Sequence, residues 1–151
     1  MQGMIGHHAQ AVEMTGLVNS RTASDAMRKL AQRIQVSQID EIKMMERWLS
    51  ARGEELPSAH AHHAMGATLM PGMLTPEEMD RLSAAKGRAF DRRFLEGMIK
   101  HHEGALVMVK ELFAAPGAGQ ESDIFAFASD VDADQRAEID RMRSMLKEYQ
   151  E

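Results

Sequence analysis

MIKHHEGALVM, residues 98–108, repeats MIGHHAQAVEM, residues 4–14. Met98, Ile99, His101, His102, Ala105 and Met108 match Met4, Ile5, His7, His8, Ala11 and Met14 at one constant offset. In both copies apolar residues recur three and four apart, the period of an amphipathic helix. A second match follows each copy: Gln38, Glu41, Ile42 and Met45 correspond to Gln135, Glu138, Ile139 and Met142, within Q-x-x-E-I-x-x-M. Each half is therefore a helical hairpin with one HH helix and one Q-x-x-E helix. Two such hairpins can pair about a pseudo-twofold axis.

Working outward, the whole chain reads as helix, because two-residue alternation is almost absent. A first helix is expected from about Gln2 to Asn19, broken by Asn19, Ser20 and Arg21. Thr22 or Ser24 can cap a second, with Met27, Leu30, Ala31, Ile34, Ile42, Met45 and Leu49 on one side and a stop at Gly53. Thr-Pro-Glu-Glu at 75–78 is a capping-box start for a short helix through Leu82. The third long helix spans about Arg88 to Phe113 and ends at Ala115-Pro116-Gly117. The fourth starts near Ser122 or Asp123 and buries Phe125, Ala128, Val131, Ile139, Met142 and Leu146. The expectation is an all-α, ferritin-like antiparallel four-helix bundle in one domain: hairpin repeats at about 2–53 and 88–150, and a connection at about 54–87 containing a short extra helix.

Composition narrows the chemistry. With 151 residues the chain can bury a sizeable core. A net charge of −5 and the lack of a basic stripe argue against nucleic acid, and no apolar run reaches the length of a membrane span. No Cys is present, which excludes disulfides, thiolate zinc sites and iron–sulfur clusters. Fourteen Met are present instead. Methionine packs irregular cores well, and its thioether is also a soft metal ligand.

On a helix Met4, His7, Ala11 and Met14 share a face, as do Met98, His101, Ala105 and Met108. Gln38, Glu41 and Met45 share another, as do Gln135, Glu138 and Met142. Imidazole, amide, carboxylate and thioether groups can thus converge inside the bundle. Adjacent histidines cannot both point the same way, so one of each pair, the one aligned with Met, is expected inward and the other at the flank or surface. Gln38, Glu41, Met45, Gln135, Glu138 and Met142 are read as supporting residues that orient the histidines. The same groups could instead form a satisfied buried polar network without metal. The connection HAHHAMGATLMPGM, residues 60–73, adds His60, His62, His63, Met65, Met70 and Met73, a composition suited to metal capture or to capping an open end of the bundle. Thioether with imidazole favours Cu(I), with Ag(I) as a mimic.

These motifs, together with MPGMLTPEEMDRL at 70–82 and the D-x-x-F-x-x-x-M of Asp91, Phe94 and Met98, resemble the domain-of-unknown-function family DUF305, which includes CopM-type copper-binding proteins. The resemblance implies a ferritin-like fold, His and Met copper ligands, and copper tolerance or handling in the periplasm or outside the cell. Absence of Cys fits that oxidising location. The first repeat lacks the D-x-x-F lead-in, from which an upstream segment is expected, and with no leader to read, the location is what the resemblance implies. The implied partners are the metal ion itself, a second copy of the chain or a copper-transfer protein, and the purified protein could carry no metal.

A di-iron oxidoreductase would share the bundle but needs Glu-x-x-His pairs, and none occurs. H-E-x-x-H and G-x-S-x-G are also absent. The chain is accordingly expected to be a binding protein, not an enzyme, with a metal-free helical interaction protein as the alternative.

Overall fold

The computed structural model describes residues 1–57 and 69–149. Five helices run in order: α1 Gln2–Arg21, α2 Asp25–Ser50, α3 Pro76–Ala84, α4 Gly87–Ala114 and α5 Ser122–Lys147. His60, His62, His63 and Met65 lie outside the described residues.

Local signals set the element boundaries. The Ser24 hydroxyl accepts from the Met27 amide and starts α2, while the chain leaving it turns at Gly53, φ 68°. Thr75 and Glu78 form the expected reciprocal capping box at the start of α3. The first helix does not break at Asn19: it continues to Arg21, and the link to α2 is only residues 22–24. Ser20 stays helical by returning its hydroxyl to the Leu17 carbonyl.

The long helices pack as two hairpins, α1 on α2 and α4 on α5, joined where α1 crosses α4. The main apolar core lies toward the α1–α2 turn, where Met14, Val18, Met27, Leu30 and Ile34 meet Leu82, Phe90, Phe94, Leu95, Met98, Ile139 and Met142. Two smaller clusters close the opposite end, one around Ile5, Met45 and Leu49, the other around Val109, Ala128 and Val131. In all four long helices the polar repeat residues fall, in sequence, between the large core and a small cluster. A polar layer therefore crosses the middle of the bundle.

Phe125 does not join the core. It is 58 % exposed and rests on the Phe113 ring, 5.6 Å between centroids. Its helical phase is that of a core residue, but α4 has ended by Ala115 and gives that turn of α5 little to pack on.

Residues 70–74 form a strap along the groove between α1 and α4. Pro71 and Gly72 take the centre of a turn closed by the Met73 amide and the Met70 carbonyl, and Gly72 has φ 76°, which glycine adopts freely. The strap runs with α1 and against α4. Met70 sits over Gly3 and Gly6, Pro71 lies on Gly104, and Leu74 reaches Gly97. A Cβ on Gly104 would stand 1.9 Å from the Pro71 oxygen, so strap and helix touch backbone to backbone. The Gln10 amide clamps the strap, donating to the Leu74 carbonyl (2.9 Å) and accepting from the Leu74 amide (2.8 Å).

Candidate metal centre

The polar layer is built from His7 and His8 on α1, Glu41 and Gln38 on α2, His101 and His102 on α4, and Glu138 and Gln135 on α5. All four histidines are buried, none more than 1 % exposed. This corrects the expectation that one of each pair would lie at the flank or surface. The reason is geometric: α1 and α4 each face two helices, and the strap covers the groove between them, so two neighbouring helix faces about 100° apart are both covered.

The two positions of each pair have different partners. His7 and His101 meet at the α1–α4 crossing, their rings 3.9 Å apart between centroids and inclined by 37°. His7 Nε2 donates to the Pro71 carbonyl and His101 Nε2 to the His7 carbonyl, both at 2.9 Å. His8 and His102 face the other helix of their own hairpin. His8 Nε2 pairs with Glu41, whose other oxygen accepts from Ser37 at 3.3 Å, and His102 Nε2 pairs with Glu138 at 2.6 Å. The duplication thus carries over into matching carboxylate–imidazole pairs.

The acceptors determine the tautomers. A carbonyl or carboxylate oxygen can only accept from the ring, so Nε2 carries a proton in all four, and in a neutral ring Nδ1 is left with a bare lone pair. All four Nδ1 atoms are buried with no hydrogen-bond partner. Burial, the nearby His8, and His102 pull His7 down to about 3, against the opposing Pro71 bond. His101 is driven well below the ordinary imidazole range by burial first, then by the other three histidines. Both rings are therefore neutral near pH 7, the form that ligates metal.

Gln38 and Gln135 are also buried, and neither amide has a partner for its nitrogen or oxygen. The antiparallel register fixed by His8–Glu41 and His102–Glu138 sets Gln38 opposite Ala11 and Gln135 opposite Ala105, where the small side chain leaves space. Unpaired buried polar groups each cost about 1–3 kcal/mol. Together they mark an interior suited to a polar or cationic guest.

The methionines divide. Met14, Met98 and Met142 are fully buried in the main apolar core, and Met45 is fully buried in a smaller one beside Trp48. Met4 is half-buried between the two small clusters. Met73 is buried, whereas Met70 and Met108 are half-buried and meet over one glycine: a Cβ on Gly3 would lie 3.3 Å from Met70 Sδ and 3.9 Å from Met108 Cε. The structure thus brings a methionine of the connection and one of the α4 repeat to the same glycine. Among the described residues no three His, Asp or Glu side chains are grouped to hold an ion by themselves. No described helix is long and apolar enough to cross a membrane.

Reading the sequence did not single out Gln10, Pro71, Gly72 and Gly104, which set the strap over the histidines. One signal was available: Gln10 and Gly104 occupy equivalent positions of the repeat yet differ completely in size.

Solved structures share this architecture. A DUF305 protein from Streptomyces coelicolor is 30% identical with a TM-score of 0.84, over 98% of this chain and 90% of that one. A DUF305 fragment from Deinococcus radiodurans is 30% identical with a TM-score of 0.82, over 97% and 92%. CopM in its Cu(I)-bound form is 25% identical with a TM-score of 0.75 over 97% and 91%, and in its Cu(II)-bound form 26% identical with a TM-score of 0.80 over 98% and 93%. No curated protein sequence matches the chain. The model of the domain of unknown function DUF305 matches residues 1–146, and the chain belongs to that family.

Proposed function

We propose that this protein binds copper, favouring Cu(I), through imidazole Nδ1 atoms of the central histidine layer together with methionine sulfur. The observation that carries the reading is the set of four buried Nδ1 atoms with no partner, each on a ring anchored through Nε2. Glu41 and Glu138 hold His8 and His102 as carboxylates hold metal-ligating histidines elsewhere, fixing the tautomer and raising ligand basicity. No three His, Asp or Glu side chains gather by themselves among the described residues, so a site here needs thioether sulfur as well, and that donor set suits a soft ion better than zinc or calcium. The likeness to CopM in two copper-bound forms points the same way.

The role is copper handling or tolerance outside the cytoplasm, by binding and not by catalysis. A location outside the cytoplasm suits a Cys-free chain and the Streptomyces coelicolor relative, which is named as a secreted protein. The test is titration of the pure protein with Cu(I) under reducing conditions against a competing chelator. Stoichiometric binding that is lost when His7, His8, His101 and His102 are replaced by Ala supports the reading.

A metal-free structural role is favoured by one observation, that Nε2 of every described histidine already has a protein partner. Failure of the titration in wild-type protein and in the variant alike would leave that role.

A further inference from the structure

The four imidazoles are only part of what the histidine layer leaves unsatisfied. The rest is two primary amides. Gln38 is 0 % exposed and Gln135 1 %, and neither the nitrogen nor the oxygen of either amide has a partner. They do not orient the histidines, because neither is hydrogen-bonded to a ring. Among the described residues three buried side-chain oxygens lack a partner, one on each of these amides and one on Asp91. Asp91 stands ten residues before His101 on α4, about 15 Å along the helix, and its other oxygen accepts from the Tyr149 hydroxyl. The oxygens left open in the layer itself are therefore those of Gln38 and Gln135.

Their places follow from the register. Gln38 lies one turn from Glu41, which holds His8, and faces Ala11, itself one turn beyond His7 and His8. Gln135 lies one turn from Glu138, which holds His102, and faces Ala105, one turn beyond His101 and His102. Because α1 and α4 run in opposite directions, the amides bracket the layer: Gln38 is on the side of the large core and Gln135 on the side of the small clusters.

A primary amide oxygen is an uncharged acceptor, and oxygen is a harder donor than sulfur. Thioether sulfur suits Cu(I), whereas nitrogen with oxygen is the donor set of Cu(II). Glu41 and Glu138 are already paired with histidine, and among the described residues no three His, Asp or Glu side chains are grouped to hold an ion. Oxygen for the harder ion has to come from the amides.

We propose that the histidine layer also takes Cu(II), with Oε1 of Gln38 and Oε1 of Gln135 as direct ligands beside imidazole Nδ1. This rests on the copper reading above and deepens it: sulfur serves one oxidation state of the ion and amide oxygen the other. Cu(II) enters as such, so no electron transfer is involved.

The experiment titrates the pure protein with Cu(II) and, under reducing conditions, with Cu(I), each against a competing chelator, and records the EPR spectrum of the Cu(II) form. Gln38→Leu combined with Gln135→Leu removes both oxygens. It is expected to weaken Cu(II) binding at least about tenfold, to change the copper hyperfine splitting, and to leave Cu(I) affinity within about twofold. Gln38→Met combined with Gln135→Met restores side-chain length without oxygen, so Cu(II) affinity is expected to stay low. Both pairs replace unpaired buried amides by apolar groups, and circular dichroism melts at or above the wild-type temperature are expected to confirm their folding. Unchanged Cu(II) affinity in the Leu pair, recovery in the Met pair, or an equal loss of both ions overturns the oxygen assignment while leaving copper binding intact. Wild-type protein that takes up Cu(I) but no Cu(II) overturns it too. Uptake of neither ion overturns this proposal and the copper reading together.

Discussion

Replacing Gly104 by alanine tests the docking of the strap, and the sign of the effect decides. In an exposed helix interior Gly→Ala stabilises by about 1 kcal/mol. At Gly104 the new methyl would stand 1.9 Å from the Pro71 oxygen and 2.7 Å from the Gly72 Cα, and both obstacles are backbone. The strap must retreat by at least about 1 Å, since interiors are too densely packed to absorb such an overlap. That retreat breaks the His7–Pro71 bond and both Gln10–Leu74 bonds. At about 1 kcal/mol each, set against the helix gain, the net loss is about 2 kcal/mol. For a chain of this length that lowers the melting temperature by about 4–8 °C. Gly16→Ala is the control, because it lies exposed on α1 with nothing within 4 Å of a new Cβ. It should raise the melting temperature slightly. Thermal melts followed by circular dichroism give both values, and equal upward shifts in the two variants would refute the backbone contact.

The neutral, buried His7 and His101 make stability depend on pH. Their folded-state pKa values lie below the unfolded value of 6.5, so the unfolded chain binds more protons as pH falls below about 6.5, down to about 3 in the case of His7. Stability is complete above that window and declines within it, by about 1.4 kcal/mol per pH unit for each ring. Urea unfolding at pH 7.5 and 5.5 should show the loss, and equal midpoints would contradict the neutral assignment. Glu138→Ala strands the His102 Nε2 donor, costing about 1–3 kcal/mol in urea unfolding. The same variant should weaken Cu(I) binding by roughly 10–100-fold in chelator competition, and unchanged affinity would separate Glu138 from the metal site. Phe94→Ala should cost about 3–5 kcal/mol because its ring is fully buried, whereas Phe125→Ser should stay within about 0.5 kcal/mol, as judged by urea midpoints.

The order of the helices was legible in the sequence because it rests on local signals. The capping box at Thr75–Glu78, the Ser24 cap and the turn at Gly53 are each determined by a few adjacent residues. The pairing of hairpins followed from the duplication itself. Burial of both members of each HH pair was not legible, because a helical wheel assigns one buried face and cannot count the neighbours a helix will have. The outward position of Phe125 was missed for the converse reason: its phase is correct, but the neighbouring helix stops short. The strap was hidden more deeply, since Gly104 reads as an ordinary weak point in a helix until the Pro71 carbonyl is placed against it.

Gln10 and Gly104 hold the same rank in the two copies, yet one must reach out and the other must have no side chain. A homodimer of either hairpin would offer two long amides or two bare glycines, and could not seat a single crossing segment. One covalent chain lets these two equivalent sites differ, and the closed bundle depends on that difference.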